Sequence, residues 1–246
     1  MKLANIVPIP LLKRYGRLTK YHLVLSYLVK ESEEYADFYK SCSEKGDYII
    51  IDTSVIELGK PLTIQEQLPI AERVGASEVM CADYPMDKDR TLEAISNDLS
   101  KIPKDFPYKI FAVAQGKNFA ELVECYKEII KFDRINTIGL SFTMSIFWKA
   151  PVDRYAFTEY LVKSDLLDKT KEYHLLGTGF SGQEISLQSK FKWIRGVDSR
   201  LSVIQGLDNK TVSETRTTRS FDFYSSEDNP LILNNIKTLK KWAKGR

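Results

Sequence analysis

Three aspartates close apolar, β-branched runs in this chain, each where a strand would hand over to a loop. Tyr48-Ile49-Ile50-Ile51 runs into Asp52, Glu78-Val79-Met80-Cys81-Ala82 into Asp83, and Trp193-Ile194-Arg195-Gly196-Val197 into Asp198. Three more runs end on residues suited to binding: Ile110-Phe111-Ala112-Val113-Ala114 into Gln115-Gly116, Thr137-Ile138 into Gly139, and His174-Leu175-Leu176 into Gly177. Carboxylates gathered from different strands can divide the work of breaking a glycosidic bond. One attacks the anomeric carbon to give a covalent glycosyl-enzyme; the other protonates the leaving group and later deprotonates the incoming one. A third, beside Gln115, can read the hydrogen-bonding edge of a base. For any single aspartate after a strand the competing role is a helix N-cap, and spacing alone leaves that open.

Other chemistries find little support. There is no Gly-x-Ser-x-Gly elbow, no GxxxxGK[ST] phosphate loop and no HExxH zinc helix. The two histidines, His22 and His174, fall near the beginnings of their predicted strands, at the end of a barrel opposite its active face, which makes them structural. Cys42, Cys81 and Cys125 are odd in number and widely spaced, so they read as small buried residues rather than disulfide or zinc ligands. Gly177-Thr178-Gly179-Phe180-Ser181-Gly182 follows a strand and opens a short helix; it is either an anion-binding loop or a tight βα turn. Carboxylate chemistry needs no cofactor and no metal.

These residues are positioned by a strand–helix rhythm. Seven strands are predicted, beginning with Tyr21–Leu28, and an eighth is sought at Leu201–Ile204 or Phe221–Tyr224. Between them, helical periodicity covers 31–45, 63–74, 87–101, 118–131, 152–163, a short piece at 181–187, and 229–244. Thr63 with Glu66 three residues on forms a capping box, and Gly75 ends that helix. Strands alternating with helices predict parallel pairing with right-handed crossovers. The expectation is an α/β chain, a single (β/α)8 TIM-like barrel over 1–246 with one irregular strand and no zinc subdomain; an open parallel sheet is the alternative. Residues past the strand ends of such a barrel share one face, where active sites form.

A chain of 246 residues, 43% hydrophobic and 28% charged, is long enough for one barrel with a sizeable core. No apolar run approaches a membrane span, and Lys13, Arg14 and Arg17 interrupt what could be a signal-peptide core, so a cytoplasmic location without membrane partners is expected. Net charge is only +3. Its distribution is more telling: Arg216, Arg219, Lys240, Lys241 and Lys244 concentrate in a polar segment and a basic final helix, where they suit a polyanion or simply a solvated helix face.

At its strand ends the sequence resembles the tRNA-guanine transglycosylase superfamily, and more closely its short DNA-modifying 7-deazaguanine branch from phages and bacterial islands. The resemblance runs from about residue 21 to 206. It is carried, in order, by Ile51-Asp52-Thr53-Ser54-Val55-Ile56-Glu57-Leu58-Gly59, Val79-Met80-Cys81-Ala82-Asp83, Phe111-Ala112-Val113-Ala114-Gln115-Gly116, Ile138-Gly139-Leu140-Ser141, His174-Leu175-Leu176-Gly177-Thr178-Gly179 and Gly196-Val197-Asp198-Ser199-Arg200. The resemblance implies Asp198 as the nucleophile on ribose C1′ and Asp52 as the general acid/base. It implies Asp83 and Gln115 on the base edge, Gly116, Gly139 and Leu140 as a backbone wall, Gly177 in the same pocket, and Arg200 toward the nucleic acid. Ile56 falls where the family has a stacking aromatic, which leaves stacking to Tyr84, Phe142 or Phe180. The family's cysteine-rich zinc site and its second aspartate near Asp198 are absent. The implied partners are DNA or tRNA and a free 7-deazaguanine-type base resembling preQ0 or preQ1; a homodimer is compatible with this.

Three readings follow. The first is base exchange through an aspartyl-glycosyl intermediate. The second is a nucleoside or nucleotide N-glycoside hydrolase using the same aspartates. The third is a non-catalytic nucleic-acid-binding homologue, favoured by Val55 and Ile56 in place of the family's glycine and aromatic, and disfavoured by retention of both Asp52 and Asp198.

Overall fold

The computed structural model describes residues 1–143, 154–179, 181–214, 219 and 222–245. Eight parallel strands form one sheet in the order β1-β8-β7-β6-β5-β4-β3-β2, and β1 lies against β2, so the sheet curls into a nearly closed barrel. The strands are β1 (Lys2–Asn5), β2 (Tyr21–Leu25), β3 (Tyr48–Asp52), β4 (Glu78–Met80), β5 (Lys109–Ala114), β6 (Thr137–Ser141), β7 (Glu172–Leu176) and β8 (Ile194–Ser199). The described α-helices are α1 (Leu12–Tyr15), α2 (Ser26–Glu31), α3 (Glu33–Ser43), α4 (Val55–Leu58), α5 (Ile64–Val74), α6 (Lys88–Lys101), α7 (Phe119–Ile129), α8 (Arg154–Lys163), α9 (Gln183–Gln188), α10 (Leu201–Leu207) and α11 (Pro230–Ala243). This is the (β/α)8 barrel expected from the sequence.

The eighth strand is a correction. It is β1, which pairs Lys2–Asn5 with Gly196–Ser199. Leu201–Ile204 is helical instead, with the Ile204 N–H bonded to the Arg200 carbonyl at 3.1 Å; Asp222–Tyr224 form no strand, and Phe221 lies outside the described residues.

Helix starts follow local chemistry. Thr63 accepts from the Glu66 N–H while Glu66 accepts from the Thr63 N–H, the reciprocal capping box, and Gly75 ends α5 at a φ of 64°. Asp87, Asn118 and Asn229 cap α6, α7 and α11 through their side chains. All three cysteines are buried and free. Among the described residues no helix is long and apolar enough to cross a membrane.

The barrel interior departs from the usual branched apolar layers. Near the strand starts every strand contributes to a polar floor. Arg195 on β8 reaches across the barrel to Glu78 on β4 at 2.5 Å and to Glu172 on β7 at 2.6 Å. It also donates to the hydroxyls of Tyr21 on β2, at 3.0 Å, and Tyr48 on β3, at 3.2 Å. Thr137 on β6 donates to Glu78, Lys109 on β5 pairs with Glu172, and the Lys2 ammonium of β1 lies over the Tyr21 and Tyr48 rings. The Glu78 side chain is fully buried and that of Arg195 is 8% exposed. A slip in pairing between β7 and β8 at Tyr173 and His174 accompanies this insertion.

Removing the cation would leave Glu78 buried and unpaired, so Arg195→Met should lose about 3–5 kcal/mol of stability in urea unfolding. Combining it with Glu78→Gln, which removes the orphaned charge, should recover part of that loss. A single variant as stable as wild type would show that the floor is dispensable.

Candidate active site

The strand-end face carries a cavity of about 120 Å³. Asp52, Asp83, Gln115, Gly177 and Asp198 all line it, so folding does gather these five strand-end residues; Ile56 and Arg200 line it as well.

Asp52 closes β3, and its geometry is set by the residues that follow. Ser54 adopts left-handed backbone (φ 54°), which turns the chain so that its N–H donates to Asp52 Oδ2 at 2.8 Å. Ser26 holds the Asp52 carbonyl at 2.5 Å. Desolvation in the cleft, followed by the nearby Glu57 carboxylate and, more weakly, Asp83 and Asp198, pushes the Asp52 carboxyl well above the usual carboxylate range. A proton is therefore held on Asp52 under conditions where ordinary carboxyls have lost theirs.

Asp198 has different surroundings. Its Oδ1 accepts from the Gly177 N–H at 2.9 Å and pairs with His174 Nε2 at 3.1 Å. Both bonds fall on Oδ1. Gly177 is needed where it stands: its φ is 66°, and a Cβ there would come within 2.7 Å of the Phe142 ring. Arg154, fully buried and paired with Glu184 at 2.7 Å, donates to the carbonyls of Leu140, Leu176 and Gly177 and so fixes the ends of β6 and β7.

Asp83 and Gln115 form a third polar group. Gln115 Nε2 donates to Asp83 Oδ2 at 2.7 Å, and Gln115 Oε1 accepts from the Met86 N–H at 3.2 Å. Burial raises the Asp83 carboxyl to about 6, against the opposing bonds from Gln115 and Thr53. At neutral pH it remains an acceptor.

Several expected positions move. Gly116, Gly139 and Leu140 do not line the cavity. Gly116 sits under the first turn of α7, where a Cβ would meet the Leu122 nitrogen at 2.5 Å. Gly139 makes room for Phe111 and Leu176 inside the barrel, and Leu140 is fully buried with its carbonyl taken by Arg154. Ile56 projects from α4 at the rim, 54% exposed. Of the alternative aromatics Phe142 lines the cavity, Tyr84 does not and instead lies under the Arg90 guanidinium, and Phe180 lies outside the described residues.

The cationic end of the last helix does not border this face. Lys240 donates to the Leu18 carbonyl at 2.5 Å, just before β2, and the Met1 amino group donates to the Ala243 carbonyl at 2.8 Å, just before β1. Helices of a barrel run back against the strands, so Lys240 and Lys241, in the last turn of α11, stand at the strand-start end. Arg219 is tied to the Leu207 carbonyl and Glu227, and Arg216 lies outside the described residues.

His174 is the neighbour of Asp198 that the sequence placed at the wrong end of the barrel. It stands at the centre of β7, not at its beginning, and touches Asp198. The available signal was register: in paired parallel strands His174 faces Gly196, two residues before Asp198. His22, by contrast, does sit at the strand-start end, where its Nε2 bonds Asp47 at 3.1 Å. With Cys42, these residues are the one group among those described whose atoms could together hold a metal ion, and none of the three lines the cavity.

No protein-family model and no curated protein matches the chain. Solved structures with a similar course include a GH30 endoxylanase from Clostridium papyrosolvens C71 (10% identity, TM-score 0.48) and an N-acetylneuraminate lyase from Mycoplasma synoviae (9% identity, TM-score 0.48). The alignments cover 80% and 81% of this chain, and the chain spans 63% of the xylanase and 68% of the lyase.

The raised Asp83 carboxyl has a testable sign. The unfolded chain loses this proton near pH 3.8 and the folded chain near 6, so between those values the folded state binds more protons and stability falls as pH rises. Asp83→Asn removes that contribution. The stability of the variant relative to wild type should increase from about pH 4 to about pH 6 and then level off, as read by urea unfolding across that range. A constant difference would show that Asp83 titrates normally.

Proposed function

We propose that the chain is a base-exchanging glycosyltransferase that replaces a guanine-type base in DNA or tRNA by a 7-deazaguanine-type base. The observation that carries this reading is the opposite setting of two carboxyls at one cavity. Asp52 is held toward its protonated form, while Asp198 is oriented by two N–H groups on one of its oxygens. A carboxyl that keeps its proton beside a second, hydrogen-bond-oriented carboxyl fits the two roles that glycosyl transfer through an ester requires.

In the forward half-reaction Asp198 Oδ2 bonds to C1′ as the C1′–N bond to the base breaks, and the Asp52 proton goes to the departing base. In the second half the incoming base gives its N–H proton to Asp52 as its nitrogen bonds to C1′ and the ester bond to Asp198 breaks. Atoms and charge balance with no further reactant. Asp83 suits the adjacent N–H donors of a guanine edge, and Gln115, held by Asp83 and the Met86 N–H, keeps one amide hydrogen for the carbonyl beside them. Attack at C1′ needs access from the face opposite the leaving base, so a base in a polymer has to be flipped or already unpaired.

A second reading, hydrolysis of a free nucleoside or nucleotide, is favoured by one observation: the cationic end of α11 lies on the far side of the barrel and offers the cavity no polyanion anchor.

The deciding experiment incubates the protein with radiolabelled guanine, preQ0 or preQ1 together with DNA, tRNA or a guanine nucleotide. Denaturing gels should show a covalent adduct in wild type and none in Asp198→Ala. Asp52→Asn should bind donor normally and react about 10²–10⁴-fold more slowly. Base released without incorporation of label would favour the hydrolase, and an adduct in Asp198→Ala would remove Asp198 as nucleophile.

A further inference from the structure

His174 joins the candidate nucleophile to the ionic floor of the barrel through a chain of four groups. Arg195 Nε lies 3.0 Å from the Tyr21 oxygen, the Tyr21 oxygen lies 2.7 Å from His174 Nδ1, and His174 Nε2 lies 3.1 Å from Asp198 Oδ1. Proton positions along it follow from what each group can do. A guanidinium only donates, so Tyr21 accepts from Arg195 and must send its own hydrogen elsewhere. The group within reach is His174 Nδ1, which then has to be the bare nitrogen of the ring. The hydrogen of a neutral imidazole is thereby forced onto Nε2, facing Asp198. Burial favours the neutral states this needs: it lowers His174 and raises the Tyr21 hydroxyl far above its ordinary value. Arg195 cannot turn away, because Glu78 and Glu172 hold its other nitrogens.

We propose that His174, locked in its Nε2–H tautomer by Tyr21 and Arg195, is a positioning residue that aims Asp198. The role rests on Asp198 being the nucleophile of the proposed reaction. His174 and Tyr21 do not line the cavity, so they act through Asp198 rather than on substrate. The arrangement also survives the chemistry unchanged. When Oδ2 bonds to C1′, Oδ1 becomes an ester carbonyl oxygen that still accepts from His174 and Gly177, so no donor has to move as the intermediate forms.

With only two histidines in the chain, ¹⁵N NMR assigns both by comparison with His22→Gln. Wild type should show His174 neutral with its hydrogen on Nε2. That state should persist in Asp198→Asn, because the floor imposes it, and should give way to a tautomer mixture in Tyr21→Phe/Asp198→Asn. In the adduct assay His174→Phe should slow ester formation by about 10–100-fold, the usual loss when an outer hydrogen-bond partner is removed, with KM for donor and incoming base unchanged. His174→Gln, whose amide N–H can occupy the Nε2 position, should regain most of the rate. A hydrogen on Nδ1 in wild type, or a glutamine variant no faster than the phenylalanine variant at equal thermal stability, overturns the proposal. The NMR measurement needs no turnover, so failure of the proposed reaction shows only in the adduct assay, and failure of the relay shows in the tautomer.

Discussion

Burying the Arg195 guanidinium inside the barrel is the constraint on which the rest of the structure depends. A charge removed from water has to be paired and fully hydrogen-bonded, and Arg195 achieves this with groups from β2, β3, β4 and β7. Such a pair adds little net stability over an apolar core, because desolvation offsets the attraction. Its consequence here is geometric. The cation reaches Glu78 on β4 only if β8 holds its register, and a one-residue slip would turn each of its side chains to the opposite face. The same register that buries Arg195 in the floor puts Asp198 at the rim.

Between floor and rim lies a layer built from two glycines and two rings. Gly196 leaves the space that Tyr21 fills, and Gly139 the space that Phe111 fills; a Cβ at either position would come within 2.5 Å of the ring. Those rings flank His174, at centroid distances of 5.6 and 5.7 Å. A histidine can therefore be fully buried mid-barrel with both nitrogens satisfied, one from the floor and one from the rim. Gly139 matters to the site through this packing rather than as a wall of the cavity.

What the sequence revealed and what it hid have one physical cause. Asp52, Asp83, Gln115, Gly177 and Asp198 were legible because each follows an apolar run, and apolar runs mark the upper part of every strand. The lower parts were marked unevenly. At β5 and β7 the polar Lys109 and Glu172 stand at the strand starts, so the apolar runs begin one and two residues late. For β7 that error moved His174 from the middle of the strand to its beginning, and with it from the site to the far end. β1 was invisible for another reason: Lys-Leu-Ala-Asn has no strand pattern of its own and becomes one by pairing with β8. The final helix was read correctly as an element, but a helix antiparallel to the strands carries its last turn away from their ends, and charge composition says nothing about that direction.

The two carboxyls at the cavity illustrate how the fold sets chemistry through neighbours rather than through residue type. Asp52 closes β3 and Asp198 is the last residue but one of β8, yet the first meets Glu57 in a desolvated cleft while Oδ1 of the second meets the Gly177 N–H and His174 Nε2. The donors at Asp198 are supplied by β7, whose end is fixed by Arg154 and whose centre is fixed by the floor. The acid pressure at Asp52 comes first from burial and then from Glu57 on α4, the helix that also lifts Ile56 to the rim. Substitutions on α4 would therefore act first on Asp52 and changes in the floor first on Asp198, and because Asp52, Glu57 and Asp198 feel one another's charge, neither change stays with one carboxyl. The two carboxyls hang on different strands yet share one field, so the cavity couples what the strands supply separately.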